Sequence, residues 1–221
     1  MNEFSLIARY FDRPARDDGV VLAVGDDAAI LRPSAGCELL VSTDMLVSGR
    51  HFFPDVDPRA LGHKALAVNL SDLAAMGARP RWVLLAGSLP KADEAWIAAF
   101  TKGLFACAER YGANLVGGDT TRGPLNLCLT AMGEVPPGAA LRRDGARVGD
   151  DLWVSGQIGL AALGLAQLQA RTHLSEGLVA RCITALQRPL PAAALQLCQV
   201  PPMLDSAEVD DVAAALMDMY G

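Results

Sequence analysis

The sequence predicts an α/β or α+β fold. Short apolar runs of strand character alternate with longer segments in which apolar residues recur at helical spacing. Gly, Pro and Asp mark the turns between them. Over 221 residues, 52% hydrophobic against 20% charged provides apolar material for one sizeable core or two small ones, and excludes a disordered chain.

Phe4, Ile7, Tyr10 and Phe11 recur at helical spacing and predict a short opening helix. Val20 to Val24 reads as a buried strand ending at Gly25-Asp26-Asp27, and Glu38 to Ser42 as a second strand, broken by Thr43-Asp44. A loop through Gly49-Arg50-His51-Phe52-Phe53-Pro54 leads to Asp57-Pro58, a capping residue before proline at the first helical position. That helix is expected to run to Gly77. Arg81 to Leu89 is a third strand, and Asp93 to Tyr111 a second long helix stopped by Gly112. Asn114 to Val116 is a short strand entering the loop Gly117-Gly118-Asp119-Thr120-Thr121-Arg122-Gly123, and Leu125 to Val135 a longer one. Pro136-Pro137-Gly138 is the best boundary signal. Beyond it, a strand is expected over Asp151 to Ser155 and helices over Ala161 to Arg171, Leu178 to Leu186 and Ala207 to Met219.

Several function classes are excluded. A formal net charge of −6 argues against binding nucleic acid. No uninterrupted apolar run reaches the roughly 18 residues of a membrane span, and the early Glu3 is unlike a secretory signal. Five cysteines without a CxxC pair fit free thiols in a reducing cytoplasm. Three histidines without HExxH make a histidine-rich zinc site improbable, and no P-loop or GxGxxG occurs.

Carboxylates are the conspicuous chemistry. Asp26-Asp27, Asp44 and Asp119 each follow a strand-like run, where single aspartates are ordinary turn formers but three such sites suggest a shared use. Asp72 falls on the helical stripe of Leu61, Ala65 and Val68, which is expected to face the core. A charge there needs a basic partner or a cation. Several carboxylates without His or Cys favour a hard cation such as Mg²⁺, which usually works with phosphates. Gly117-Gly118 allows close backbone approach, and Thr120, Thr121, Arg122, Arg142 and Arg143 are candidate phosphate donors or surface residues.

Together the stretches Glu3 to Phe11, Gly25-Asp26-Asp27-Ala28-Ala29, Ser42 to Val47, Gly49-Arg50-His51-Phe52, Lys64 to Ala78, Gly117 to Gly123 and Arg143 to Ala146 with Gly149-Asp150 resemble the thiamine-monophosphate kinase family, in the aminoimidazole ribonucleotide synthetase superfamily. The resemblance implies transfer of the ATP γ-phosphoryl group to thiamine monophosphate. By position, Asp27, Ser42, Thr43, Asp44, Asp72 and Asp119 would hold several Mg²⁺ ions, while Gly118, Asp119 and Arg143 would contact ATP and His51 the thiamine phosphate. It further implies a mixed N-terminal sheet with flanking helices over residues 1–135, an ATP- and Mg²⁺-binding domain that also pairs into a homodimer. An incomplete second α/β domain is expected over 136–221, because a family motif, Asp-x-Ser-Asp-Gly-Leu, is represented only by Asp218, standing for its opening, metal-binding aspartate, in Met217-Asp218-Met219-Tyr220-Gly221. Two other readings stay open: a non-catalytic dimerising remnant, and another ATP-using enzyme of the superfamily.

Overall fold

Capping chemistry sets the two long helices. In the computed structural model, which describes residues 3–151 and 157–191, the Asp57 carboxylate accepts from the Arg59 and Ala60 backbone N–H groups and opens α2 (Pro58–Ala75). Asp93 accepts from Trp96 N–H at the start of α3 (Glu94–Tyr111), which Gly112 closes in the left-handed conformation. The opening helix α1 spans Glu3–Tyr10. All three stand where the sequence predicts them.

The strands are less local. β1 (Val20–Leu22) pairs antiparallel with β2 (Ile30–Leu31) in a two-stranded ribbon of its own. The sequence predicts a longer, buried β1 and no β2, yet Val21 and Ile30 are half exposed. β3 (Glu38–Val47), β4 (Arg79–Leu89), β5 (Asn114–Arg122) and β6 (Asn126–Val135) form one mixed sheet in the order β3-β6-β4-β5. β6 runs antiparallel to β3 and β4, and β4 parallel to β5. β3 does not break at Thr43-Asp44. It pairs with β6 from Glu38–Val135 to Val47–Asn126, and that continuous ladder outweighs a local polar pair. β5 likewise continues past Val116, because Gly117 to Arg122 stay in register with Leu84 to Leu89. Asp44 and Asp119 therefore sit inside strands and not at their ends; only Asp26-Asp27 occupies a connection.

α2 and α3 pack together, with α2 against β3, β4 and β6. The core between helices and sheet includes Leu66, Leu70, Phe100, Leu104, Leu127 and Leu129. Among the described residues no helix packs over the opposite face at β3, on which Leu39, Val41 and Met45 alternate with Leu40, Ser42, Asp44 and Leu46, and those three apolar residues are about half exposed. After β6, α4 (Leu160–Leu168) and α5 (Glu176–Gln187) pack through Leu160, Leu163 and Cys182. All but Asp151 of the strand expected over Asp151 to Ser155, the expected helix at 207–219 and Asp218 lie outside the described residues. No described helix is long and apolar enough to cross a membrane.

Candidate functional site

One acidic group lies where β3 meets α2. Ser42 Oγ donates to Asp72 Oδ2 at 2.7 Å, and the Asp44 backbone N–H donates to Asn69 Oδ1 at 3.2 Å. Asn69 is fully buried and anchored by donating its Nδ2 to Ala65 O. Asp72 itself is exposed, which corrects the expected core-facing stripe. α2 is packed between the sheet and α3 and buries residues around most of its circumference, so the stripe of one face does not continue to its last turn. Burial and the neighbouring Asp72 charge push the Asp44 carboxyl above its ordinary value, against a lowering influence from His51. Among the described residues neither carboxylate has an ion-pair partner, and every donor in the group is an oxygen, so it fits a hard cation. Thr43 differs: its hydroxyl lies on the other sheet face, 2.9 Å from that of Thr130.

His51 follows in the turn after β3. Its Nδ1 accepts from Val47 N–H at 3.0 Å, which leaves Nε2–H as the ring's donor. Lys64 of α2 donates to the His51 carbonyl at 3.1 Å, and its own burial lowers its pKa. A cavity of about 180 Å³ opens here, with His51, Phe53 and Lys64 on one side and Leu165 and Leu186 of α4 and α5 on the other.

The second acidic group surrounds a larger cavity of about 930 Å³. The connection Ala23 to Ala29, with Asp26 and Asp27, forms one wall, and Gly117 to Thr120 of β5 the other, with Ile7 of α1 and Phe11 just after it supplying apolar surface. That volume lies in the range of pockets that take small-molecule ligands. Gly118 is required there: at φ 149°, a Cβ would lie 1.9 Å from the Leu85 carbonyl oxygen. Arg143 is exposed in the loop after β6 and lines neither cavity, beside an Arg142 bound to Asp144 at 2.8 Å.

The fold does not bring the two groups together. β3 and β5 are opposite edges of the sheet with β6 and β4 between them, so their axes stand about 14 Å apart at ordinary strand spacing. Among the described residues no three acidic, His or Cys side chains gather closely enough to hold a metal ion. Sequence reading missed Asn69, Lys64 and Thr130. An asparagine between the apolar Val68 and Leu70, one turn before Asp72, is the signal that could have found the first.

Residues 25–135 match the family described as AIR synthase related protein, N-terminal domain. Thiamine-monophosphate kinase of Salmonella typhimurium is 48% identical over 219 residues, covering 98% of this chain and 64% of its own length, so the chain spans less than two thirds of that relative. The crystal structure of thiamine-monophosphate kinase from Stenotrophomonas maltophilia matches with a TM-score of 0.79 at 48% identity, over 89% of this chain and 64% of that one. AaThiL, complexed with AMPPCP and TMP, matches with a TM-score of 0.69 at 27% identity, over 83% and 62% of the two chains. On these matches the chain belongs to the thiamine-monophosphate kinase family of AIR synthase related proteins.

Proposed function

We propose that the chain serves the ATP-dependent phosphorylation of thiamine monophosphate to thiamine diphosphate, in the cytoplasm. The observation that carries this reading is the nucleotide-sized cavity walled by Asp26-Asp27 and Gly118-Asp119, in a chain 48% identical to a kinase of that name. Gly118, Asp119 and Arg143 contact ATP in this reading, and the Nε2–H of His51 donates to the thiamine phosphate. Asp27, Ser42, Thr43, Asp44, Asp72 and Asp119 hold Mg²⁺, with Asp218 added from outside the described residues; the Thr43 hydroxyl lies on the sheet face opposite to Ser42 and Asp44. Bound Mg²⁺ supplies charge neutralisation between two polyanions and stabilises charge developing on the transferred phosphoryl group. The chain's own task is to orient the two phosphates in line and keep them apart from water.

The reading divides the chain into an N-terminal domain, residues 1–135, and a C-terminal part, 136–221. It also includes a homodimer formed through the helix-free sheet face, supported by the exposed Leu39, Val41 and Met45. A two-fold axis along the strands sets the β3 edge of one protomer opposite the β5 edge of its partner. Such an arrangement draws together acidic groups that one chain holds at opposite edges.

The test is turnover at saturating MgATP with thiamine monophosphate while free Mg²⁺ is raised. Two like charges about 4 Å apart repel by roughly 4 kcal/mol at an effective dielectric of 20, so cations beyond the one that ATP brings are needed. Thiamine diphosphate formation should climb with free Mg²⁺, from a preparation that scatters light as a dimer at micromolar concentration. A dimer that forms no product points instead to a non-catalytic role, and a rate already flat without free Mg²⁺ removes these aspartates from the metal site.

A further inference from the structure

We propose that Arg81 is a positioning residue for the candidate nucleotide site, its buried guanidinium clamping both feet of the ribbon that carries Asp26 and Asp27. The inference rests on the reading of that cavity as the nucleotide site. The ribbon needs such a device. Among the described residues β1 and β2 pair only with each other, and a two-stranded ribbon alone is at best marginally stable in water. Val21 and Ile30 are half exposed, and Val20, Leu22 and Leu31 are only partly buried, so apolar burial holds it only in part.

What ties it down is polar and converges on one side chain. Arg81, near the start of β4, is 4% exposed. Its Nε and Nη2 donate to the two carboxylate oxygens of Asp17 at 2.5 and 2.6 Å, just before β1. Its Nη1 donates to Ser34 Oγ at 2.9 Å, just after β2, and to Glu134 at the end of β6. Glu134 in turn accepts from Ser34 N–H at 2.7 Å and from its hydroxyl at 2.8 Å. Between these feet, Asp17 accepts from Gly19 N–H, and Gly19 O accepts from Arg32 N–H. The packing is close enough that a Cβ on Gly19 would meet Arg81 Nη2 at 2.7 Å and Trp82 Cζ2 at 2.8 Å. Only the rigid, forked guanidinium offers this number of donors in fixed directions.

The consequence for the site follows from the strand that bears the clamp. β4 also holds the opposite cavity wall, with Leu85 paired to Gly118 and Ala86 to Asp119. Both walls are thereby referenced to one strand: Asp119 through the ladder and Asp27 through the clamp. Arg81 does not line the cavity, so it acts through the ribbon and not on a ligand.

The test separates this role from mere folding. Replacing Arg81 alone by Met strands two buried carboxylates and risks unfolding. The triple variant Asp17→Asn/Arg81→Met/Glu134→Gln removes the charges together, and Arg81→Lys keeps a charge without the fork. Hydrogen exchange, thermal melting and binding of ADP against Mg²⁺ concentration are measured on the full chain. We expect a cooperative melt and wild-type protection of α2 and β4. Amides of 20–31 should lose about tenfold in protection, as for a segment that opens locally. The Mg²⁺ needed for half-maximal ADP binding should rise about tenfold, the size typical of losing an outer-shell partner. Unchanged protection at 20–31 overturns the clamp. Lost protection with unchanged Mg²⁺ dependence overturns the positioning role. A wild-type chain that binds no ADP defeats the nucleotide-site reading instead, and exchange at 20–31 then decides the clamp by itself.

Discussion

The two acidic edges of the sheet are held by different means. At the β3 edge, Ser42 and Asp44 lie in a strand paired to β6 over its whole length, and Asp72 lies in a helix packed across that sheet. Their geometry follows from backbone ladders and a helix, with the buried Asn69 as a strut. At the β5 edge, Asp119 is also laddered, but Asp26 and Asp27 ride on a ribbon outside the main sheet. Their placement depends on side-chain bonds to Arg81, which are sensitive to every charge they involve. One edge is fixed by secondary structure and the other by electrostatics, so the two should fail under different perturbations.

The largest difference is expected from Gly118→Ala. A Cβ at this φ of 149° falls 1.9 Å from Leu85 O, and a backbone atom has nowhere to go. β5 must part from β4, at a cost of about 1–3 kcal/mol or more. Thermal melting should show that loss together with loss of ADP binding. A wild-type melt would mean that β5 is not pressed against β4 as the register indicates.

Asp72→Asn should do the reverse, sparing the fold and removing the cation. Without metal, Asp72 raises the neighbouring Asp44 carboxyl, so neutralising Asp72 relieves a repulsion. Stability of the metal-free protein should stay within about 0.5 kcal/mol of wild type or rise slightly. Stabilisation on adding Mg²⁺ should largely vanish in the same melting series. Full retention of the Mg²⁺ effect would take Asp72 out of the ligand set.

This contrast also marks what the sequence could disclose. Asp57-Pro58, Asp93 and Gly112 act on backbone groups within a turn of themselves, so the starts of α2 and α3 and the end of α3 were legible. The aspartates stand out in the sequence as candidates, by their types and neighbours. Their arrangement was not, because β3 and β5 become opposite edges only through pairings with β6 and β4 that no local pattern encodes. The clamp was invisible for the same reason: Asp17, Arg81 and Glu134 read singly as a loop acid, a strand's first residue and an acid near a strand's end. Their meeting joins positions far apart in the chain. Even β2 is only Ile30–Leu31, too short for periodicity to register.

The smallest effect is one of sign, in acid and without metal. At the β5 edge, the Arg81 fork holds the Asp17 carboxyl below its ordinary 3.8. Burial alone would raise Glu134, yet the Ser34 N–H and hydroxyl and the Arg81 charge hold it below its ordinary 4.5. A carboxyl depressed in the folded state binds fewer protons there than in the unfolded chain. Its contribution is complete above the unfolded value and is lost as pH falls through the folded one. Asp44 runs the other way, because burial and Asp72 raise it above 3.8. The fold then binds the extra proton, so this carboxyl penalises stability once ionised and the penalty eases as pH falls toward its ordinary range. Melting temperature against pH should therefore carry two opposed contributions. Asp44→Asn should remove a small gain on mild acidification, and the triple Asp17→Asn/Arg81→Met/Glu134→Gln a larger loss below about pH 4, within the ordinary carboxylate range. Saturating Mg²⁺ should erase the Asp44 contribution, since a bound cation favours the ionised form, and leave the other untouched. The same sign of slope from both edges would show that burial and the Asp72 charge do not raise Asp44 in the metal-free chain.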